Sequence, residues 1–392
     1  MRAAPPAGNG RNPVRQSVEL RAGVTRELVP LTAEDGAALD GVLYRRGDPA
    51  PKPAVALVLM HPAASFLHHY AAIPLAARGF AVLTLNGRFS TGDAGLLMEQ
   101  AALDLAAGVA HVRERGAERV ALLGTGGGGP LMAFYQAQAE APTVRATPGG
   151  GPPDLTAARL PRADAVVTLN AHRGRAHVLT ACLDPAVTDE RDPLAGDPEL
   201  DLFAPGRRPP YDAAFVERYR AAQVARNHRI TAWARARLAA LREADVADEA
   251  FTVHRTAADP RFLDPAIDPS DREAGTDEGL EVRAANYAAA GPARHTTLHS
   301  WLSQWSLEAS HASAEPSLVR MAAPLLSIQG TADQGIFPSD VRALFAAGRM
   351  DDKRLCWIPG GTHHFLDQPV HLRMVLDLVE DWLAERGMGP RR

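Results

Sequence analysis

Three short segments of the chain carry residue types that can move protons or polarise a carbonyl group. The first is His61-Pro-Ala-Ala-Ser65, and the second is a glycine run from Gly124 to Gly129 interrupted only by Thr125. The third is a late pair: Asp333 in Gln329-Gly-Thr-Ala-Asp333, and the histidines of Gly360-Gly-Thr-His-His364-Phe. A carboxylate beside an imidazole orients the ring and stabilises its protonated form, so the pair can serve as a general base. His363 and His364 compete for that role. Asp333 taken alone also fits a turn cap. His68 and His69 are adjacent, so on a helix they face different directions and make a poor metal pair.

These segments need a scaffold that brings them together, and the surrounding pattern supplies one. Ala54 to Met60 is continuously apolar, as is a strand buried on both faces of a parallel sheet. Similar runs follow at Phe80 to Leu85, Arg119 to Leu123, Ala165 to Leu169, Pro324 to Ile328 and Arg354 to Ile358. Between them lie helical stretches, one from Tyr70 to Arg78 that Gly79 stops, and a last one whose apolar face is Leu372, Val375, Leu376, Val379, Trp382 and Leu383. Strand and helix at this cadence predict a doubly wound, mostly parallel α/β sheet. Ser17 to Arg46, broken at Asp35-Gly36, predicts an antiparallel pair at its edge. Each candidate segment then sits where a strand meets its following loop, the place where open α/β sheets put their sites.

The glycine run admits three readings. It satisfies Gly-x-Gly-x-x-Gly, but the dinucleotide fingerprint belongs on a first strand with an acidic residue about 20 positions on, and Glu140 falls at a helix end. A plain tight turn is the second. The third follows from the order of the segments, which resembles the α/β-hydrolase superfamily over nearly the whole chain. Gly330-Thr-Ala-Asp333 reproduces that family's Gly-x-x-Asp context, and Gly361-Thr-His-His364 its Gly-x-x-His context. The family's nucleophile elbow reads Gly-x-Ser-x-Gly, whereas this chain has Gly124-Thr125-Gly126-Gly127-Gly128. Gly126 therefore stands at the nucleophile position without a side chain, and no acyl-enzyme can form there. The resemblance implies an oxyanion hole from the backbone N–H of Gly127 and one of Ala63 or Ala64, since Pro62 has none to donate. Thr125 and Ser65 are the nearby hydroxyls that could substitute as nucleophile or contact substrate; Thr125 precedes the tip and should point away from it, while Ser65 either binds substrate or caps the helix at Leu67.

The roughly 150 residues between Ala171 and Ala322 are too many for a loop. They predict a mostly helical insertion at 172–318 where the family carries its lid, with core at 17–171 and 319–392 and a disordered leader at 1–16. Proline-rich borders near Pro205 to Pro210 and at Gly291-Pro292 fit a movable lid. Trp301 and Trp305, with His295 and His299, form an i, i+4 ladder that either packs the lid on the core or walls an apolar substrate.

The chain has 392 residues, 46% apolar and 22% charged, and 42 basic against 46 acidic side chains. That balance argues against phosphate-neutralising nucleic-acid binding. Two cysteines, Cys182 and Cys356, are too few for a disulfide framework or a cysteine metal site. No stretch reaches the ~20 apolar residues of a membrane span, and the N-terminus lacks a secretion signal. The expectation is a cytoplasmic protein, with a homodimer compatible, that needs no cofactor or metal and takes a small-molecule substrate. Its leading function is noncovalent: hydrolysis of an ester-like or carbon–carbon bond, or a lyase or cofactor-free oxygenation step, by the His364–Asp333 dyad. Two alternatives stand beside it: a serine hydrolase with an introduced glycine at 126, and a noncatalytic small-molecule binder.

Overall fold

The computed structural model describes residues 23–47, 54–276 and 279–390. The leader expected at 1–16 lies outside them. The core opens with β1 (Val24–Thr32) and β2 (Ala38–Arg46), an antiparallel pair turning at Asp35-Gly36. It continues through β3 (Val55–His61), α1 (Ala72–Ala77), β4 (Ala81–Asn86), α2 (Met98–Glu114), β5 (Arg119–Gly126), α3 (Gly128–Glu140) and β6 (Ala165–Ala171). The insertion follows with α4 (Arg175–Cys182), α5 (Ala213–Glu243), β7 (Ala250–Thr252), α6 (Val282–Tyr287), β8 (His295–Thr297) and α7 (Leu298–Ser300), which runs into a π-helical turn at Trp301–Trp305. After α8 (Ala314–Arg320) the core resumes with β9 (Leu325–Gly330), α9 (Pro338–Ala347), β10 (Lys353–Ile358) and α10 (Pro369–Ala384).

Eight strands form one sheet in the order β1-β2-β4-β3-β5-β6-β9-β10, parallel from β4 onward. Successive side chains on a strand face opposite ways, so a strand covered on both sides must be apolar throughout. In β3, Val55, Leu57 and Leu59 enter the cluster under α1 and α10, while Ala56, Val58 and Met60 enter the one under α2, α3 and α8. Burying each leucine contributes about 2 kcal/mol. The α10 face expected from sequence is the buried one: Val375, Leu376, Val379, Trp382 and Leu383.

The insertion has its own cluster, with Ile230, Leu238 and Leu241 of α5 against Val253, Trp301 and Trp305. Helix α5 starts where the Asp212 carboxylate accepts from the N–H groups of Ala214 and Phe215. Its apolar spacing falls in two separate pieces, Phe215 with Tyr219 and Ile230 with Trp233, Leu238 and Leu241. Between them the inward residues are polar: Gln223 donates to the carbonyls of Ala181 and Leu183, and Asn227 to that of Trp305. Ala314 and Leu318 of α8 join the cluster beside α3, packing with the core layer. The insertion is fastened to α2 by buried polar bonds: Ser303 Oγ accepts from the Met98 N–H at 2.8 Å and donates to Glu99 Oε2 at 2.7 Å. His311 Nδ1 lies 3.0 Å from the other oxygen of Glu99. Among the described residues no helix is long and apolar enough to cross a membrane.

Candidate active site

The site gathers at the carboxyl ends of β3, β5, β6, β9 and β10. Strand β5 ends at Gly126, whose φ of +52° is the left-handed conformation that glycine adopts without strain. The chain then turns directly into α3. The glycines around the tip have different reasons to be there. A Cβ on Gly124 would stand 2.4 Å from the backbone of Gly128, one on Gly128 2.6 Å from the Met60 carbonyl, and one on Gly129 2.3 Å from Ala171 Cβ. At Gly126 a Cβ would meet only the ring of His363, 3.5 Å from Nε2 and 3.8 Å from Cε1. Space therefore forbids side chains around the tip but not on it.

His363, not His364, is the partner of Asp333. Nδ1 of His363 and Oδ2 of Asp333 are 2.8 Å apart, with the carboxylate fully buried. The other carboxylate oxygen accepts from the N–H groups of Gly335 and Ile336, which fixes its orientation. The three-residue offset misled because a second device sets the loop's phase. Asn170, at the end of β6 with φ +46°, donates from Nδ2 to the carbonyls of Thr362 (3.2 Å) and His363 (2.7 Å). Its Oδ1 accepts from the Gly330 N–H, so one buried side chain ties the acid strand to the base loop. The same two loops meet because a Cβ on Gly330 would lie 2.3 Å from the Gly361 carbonyl oxygen. His364 instead sets its ring edge-on to His363, with centroids 4.4 Å apart.

The remaining expected residues divide. Ser65 Oγ accepts from Asn86 Nδ2, bracing the loop after β3; α1 begins only at Ala72 and has no side-chain cap, so the helix-cap reading of Ser65 fails. Thr125 Oγ1 is 3.4 Å from His69 Nε2, turned from the tip. The N–H of Ala63, expected as an oxyanion donor, is engaged with Nδ1 of His61. Gly127 is the N-cap of α3 beside the tip, and Ala64 lies in the β3 loop. Trp301 is fully buried in the insertion's cluster and donates Nε1–H to Thr231, so it packs rather than walls a cleft. Trp305 lies under the guanidinium of Arg175, 4.2 Å from its ring centre.

Sequence reasoning assigned no role to His61, His172, Asn170 or Arg175, yet all four cluster here. His172 was findable, since it directly follows a central parallel strand. Burial holds His69, His172 and His364 neutral, each near pKa 3 rather than 6.5; for His172 the charge of Arg175 adds to burial, and for His364 that of His363. The sign follows: below pH 6.5 the unfolded chain binds protons that these folded imidazoles refuse. Stability is therefore fully present above that pH and is lost as pH falls toward 3, by up to about 1.4 kcal/mol per pH unit for each ring. Urea midpoints measured at pH 7, 6 and 5 should drop steeply below 6.5, and a flat profile would contradict buried neutral rings. Among the described residues no group of three or more His, Cys, Asp or Glu side chains is arranged to hold a metal ion.

No protein-family model matches the sequence, and no curated protein is similar to it in sequence. Solved structures do match. A hypothetical protein from Pseudomonas aeruginosa is 17% identical with a TM-score of 0.52, covering 94% of this chain and 97% of that one. The alpha/beta hydrolase GrgF from Penicillium sp. sh18 is 14% identical with a TM-score of 0.52, covering 92% and 98%. With the strand order, these similarities show that the chain has the α/β-hydrolase fold.

Proposed function

We propose that the protein is a hydrolase-type enzyme that acts on a small, neutral carbonyl compound without forming a covalent intermediate. The observation that carries this reading is the Asp333–His363 pair, with His363 Nε2 directed at a tip that bears no side chain. Asp333 holds the Nδ1 proton, leaving Nε2 as the base. Water in the volume above Gly126 gives a proton to Nε2, and its oxygen adds to the carbonyl carbon. The carbonyl oxygen becomes anionic, then collapses and breaks the C–O bond of an ester or the C–C bond of a 1,3-diketone, and the alkoxide or enolate released takes the proton back from Nε2. The charge balances at each step, and His363 ends as it began.

A panel of small aryl esters and 1,3-diketones, followed by chromatography, tests the reading. His363→Ala should lower turnover at least about 100-fold, and His364→Ala should leave it near the parent value. Equal turnover in the parent and His363→Ala would reject the mechanism. Saturable binding with no product from any compound would favour a noncatalytic binder. The room for a side chain at residue 126 favours one further reading, a serine hydrolase whose nucleophile has been replaced by glycine.

A further inference from the structure

The mechanism requires donors for the oxygen that turns anionic, and the chain has rearranged them. The Ala63 N–H, 3.1 Å from Nδ1 of His61, points into that ring. The same relation recurs from Ala71 to His69 at 3.2 Å and from Gly174 to His172 at 3.0 Å. A ring nitrogen that accepts an N–H carries no hydrogen, so in a neutral imidazole the proton sits on Nε2. Burial first, and the nearby charge of Arg175 second, disfavour a second proton on His61 and His172. Each of these rings therefore presents one Nε2–H. For His69 that nitrogen faces Thr125, away from the tip.

The other two converge. The Nε2 atoms of His61 and His172 lie 2.6 and 3.3 Å from the point where a Cβ on Gly127 would stand, one residue beyond the tip that His363 faces. That shared point also explains why residue 127 is glycine. Arg175 behind them is committed to Asp93, Gln304 and the face of Trp305, so its charge is already balanced. Two neutral donors beside a neutralised cation suit a charge that develops during reaction better than a permanent one.

We propose that His61 and His172 form a side-chain oxyanion hole, their Nε2–H groups receiving the carbonyl oxygen of a neutral ester or ketone in place of the backbone donor that Ala63 no longer offers. This rests on the base role proposed for His363. Its test uses Gly126→Ser and a fluorophosphonate. The introduced hydroxyl attacks phosphorus, fluoride leaves, His363 takes the hydroxyl proton, and the phosphoryl oxygen falls between the two donors. Adding His61→Phe or His172→Phe should slow labelling about 100-fold each. His61→Gln, which keeps an N–H at similar reach, should recover part of the loss. Labelling that needs His363 but runs at an unchanged rate in both phenylalanine variants would overturn the oxyanion hole and leave the base intact. Labelling that ignores His363 would instead defeat the base. Nitrogen-15 NMR of the imidazoles in the unaltered protein decides independently of any variant's folding: both rings should carry hydrogen on Nε2, and an Nδ1–H form at either one rejects the proposal.

Discussion

Gly126→Ser is expected to convert an inert turn into a covalent nucleophile, labelled stoichiometrically by a fluorophosphonate where the parent takes none. The backbone needs no remodelling, because the elbow already holds φ at +52°. Serine there costs about 1–2 kcal/mol in left-handed strain. The side chain finds room, since among the described residues His363 is the only neighbour within 4 Å of the added Cβ, and its Nε2, 3.5 Å from that Cβ, is close enough to take a hydroxyl proton. Labelling should vanish again on adding His363→Ala. Mass spectrometry of the intact chain reads both results, and an unlabelled but folded Gly126→Ser protein would show that the elbow and base are not aligned for attack.

The second large effect is structural and comes from the same loop. Gly124→Ala should destabilise the fold by more than about 3 kcal/mol, while Gly126→Ala costs only about 1 kcal/mol. The added methyl at 124 would stand 2.4 to 2.6 Å from carbonyl and amide atoms of Gly128 and Gly129. Backbone at the head of a buried helix cannot rotate aside as a flexible side chain can, so α3 would have to shift off β5. Equilibrium urea unfolding separates the two, and similar midpoints for both variants would mean that the strand-to-helix turn is looser than its geometry implies.

How much of this was legible depends on whether a side chain's role is local. The parallel strands were readable because burial on both faces forces uninterrupted apolar runs, as in Val55 to Met60. The strand-to-helix turn at Gly126 and the position of Asp333 after a strand were readable because glycines at close backbone contacts and Asp333 at a strand end leave short signatures. The choice between His363 and His364 was not, because Asn170, nearly 200 residues earlier, sets which of them turns inward. Helix α5 is not legible as one helix because between its apolar ends the interior face is lined with Gln223, Arg226, Asn227 and Thr231, all fully buried. Polar residues read as solvent-facing until their partners are known. The donor roles of His61 and His172 depend on tautomers set by neighbouring N–H groups, information that one-dimensional spacing does not contain.

The buried knot of Ser303, Glu99 and the start of α2 has a consequence for how the insertion is held to the core. Pulling the insertion away from α2 would leave the Glu99 carboxylate and the Met98 N–H without these partners, a desolvation cost that holds the two elements together.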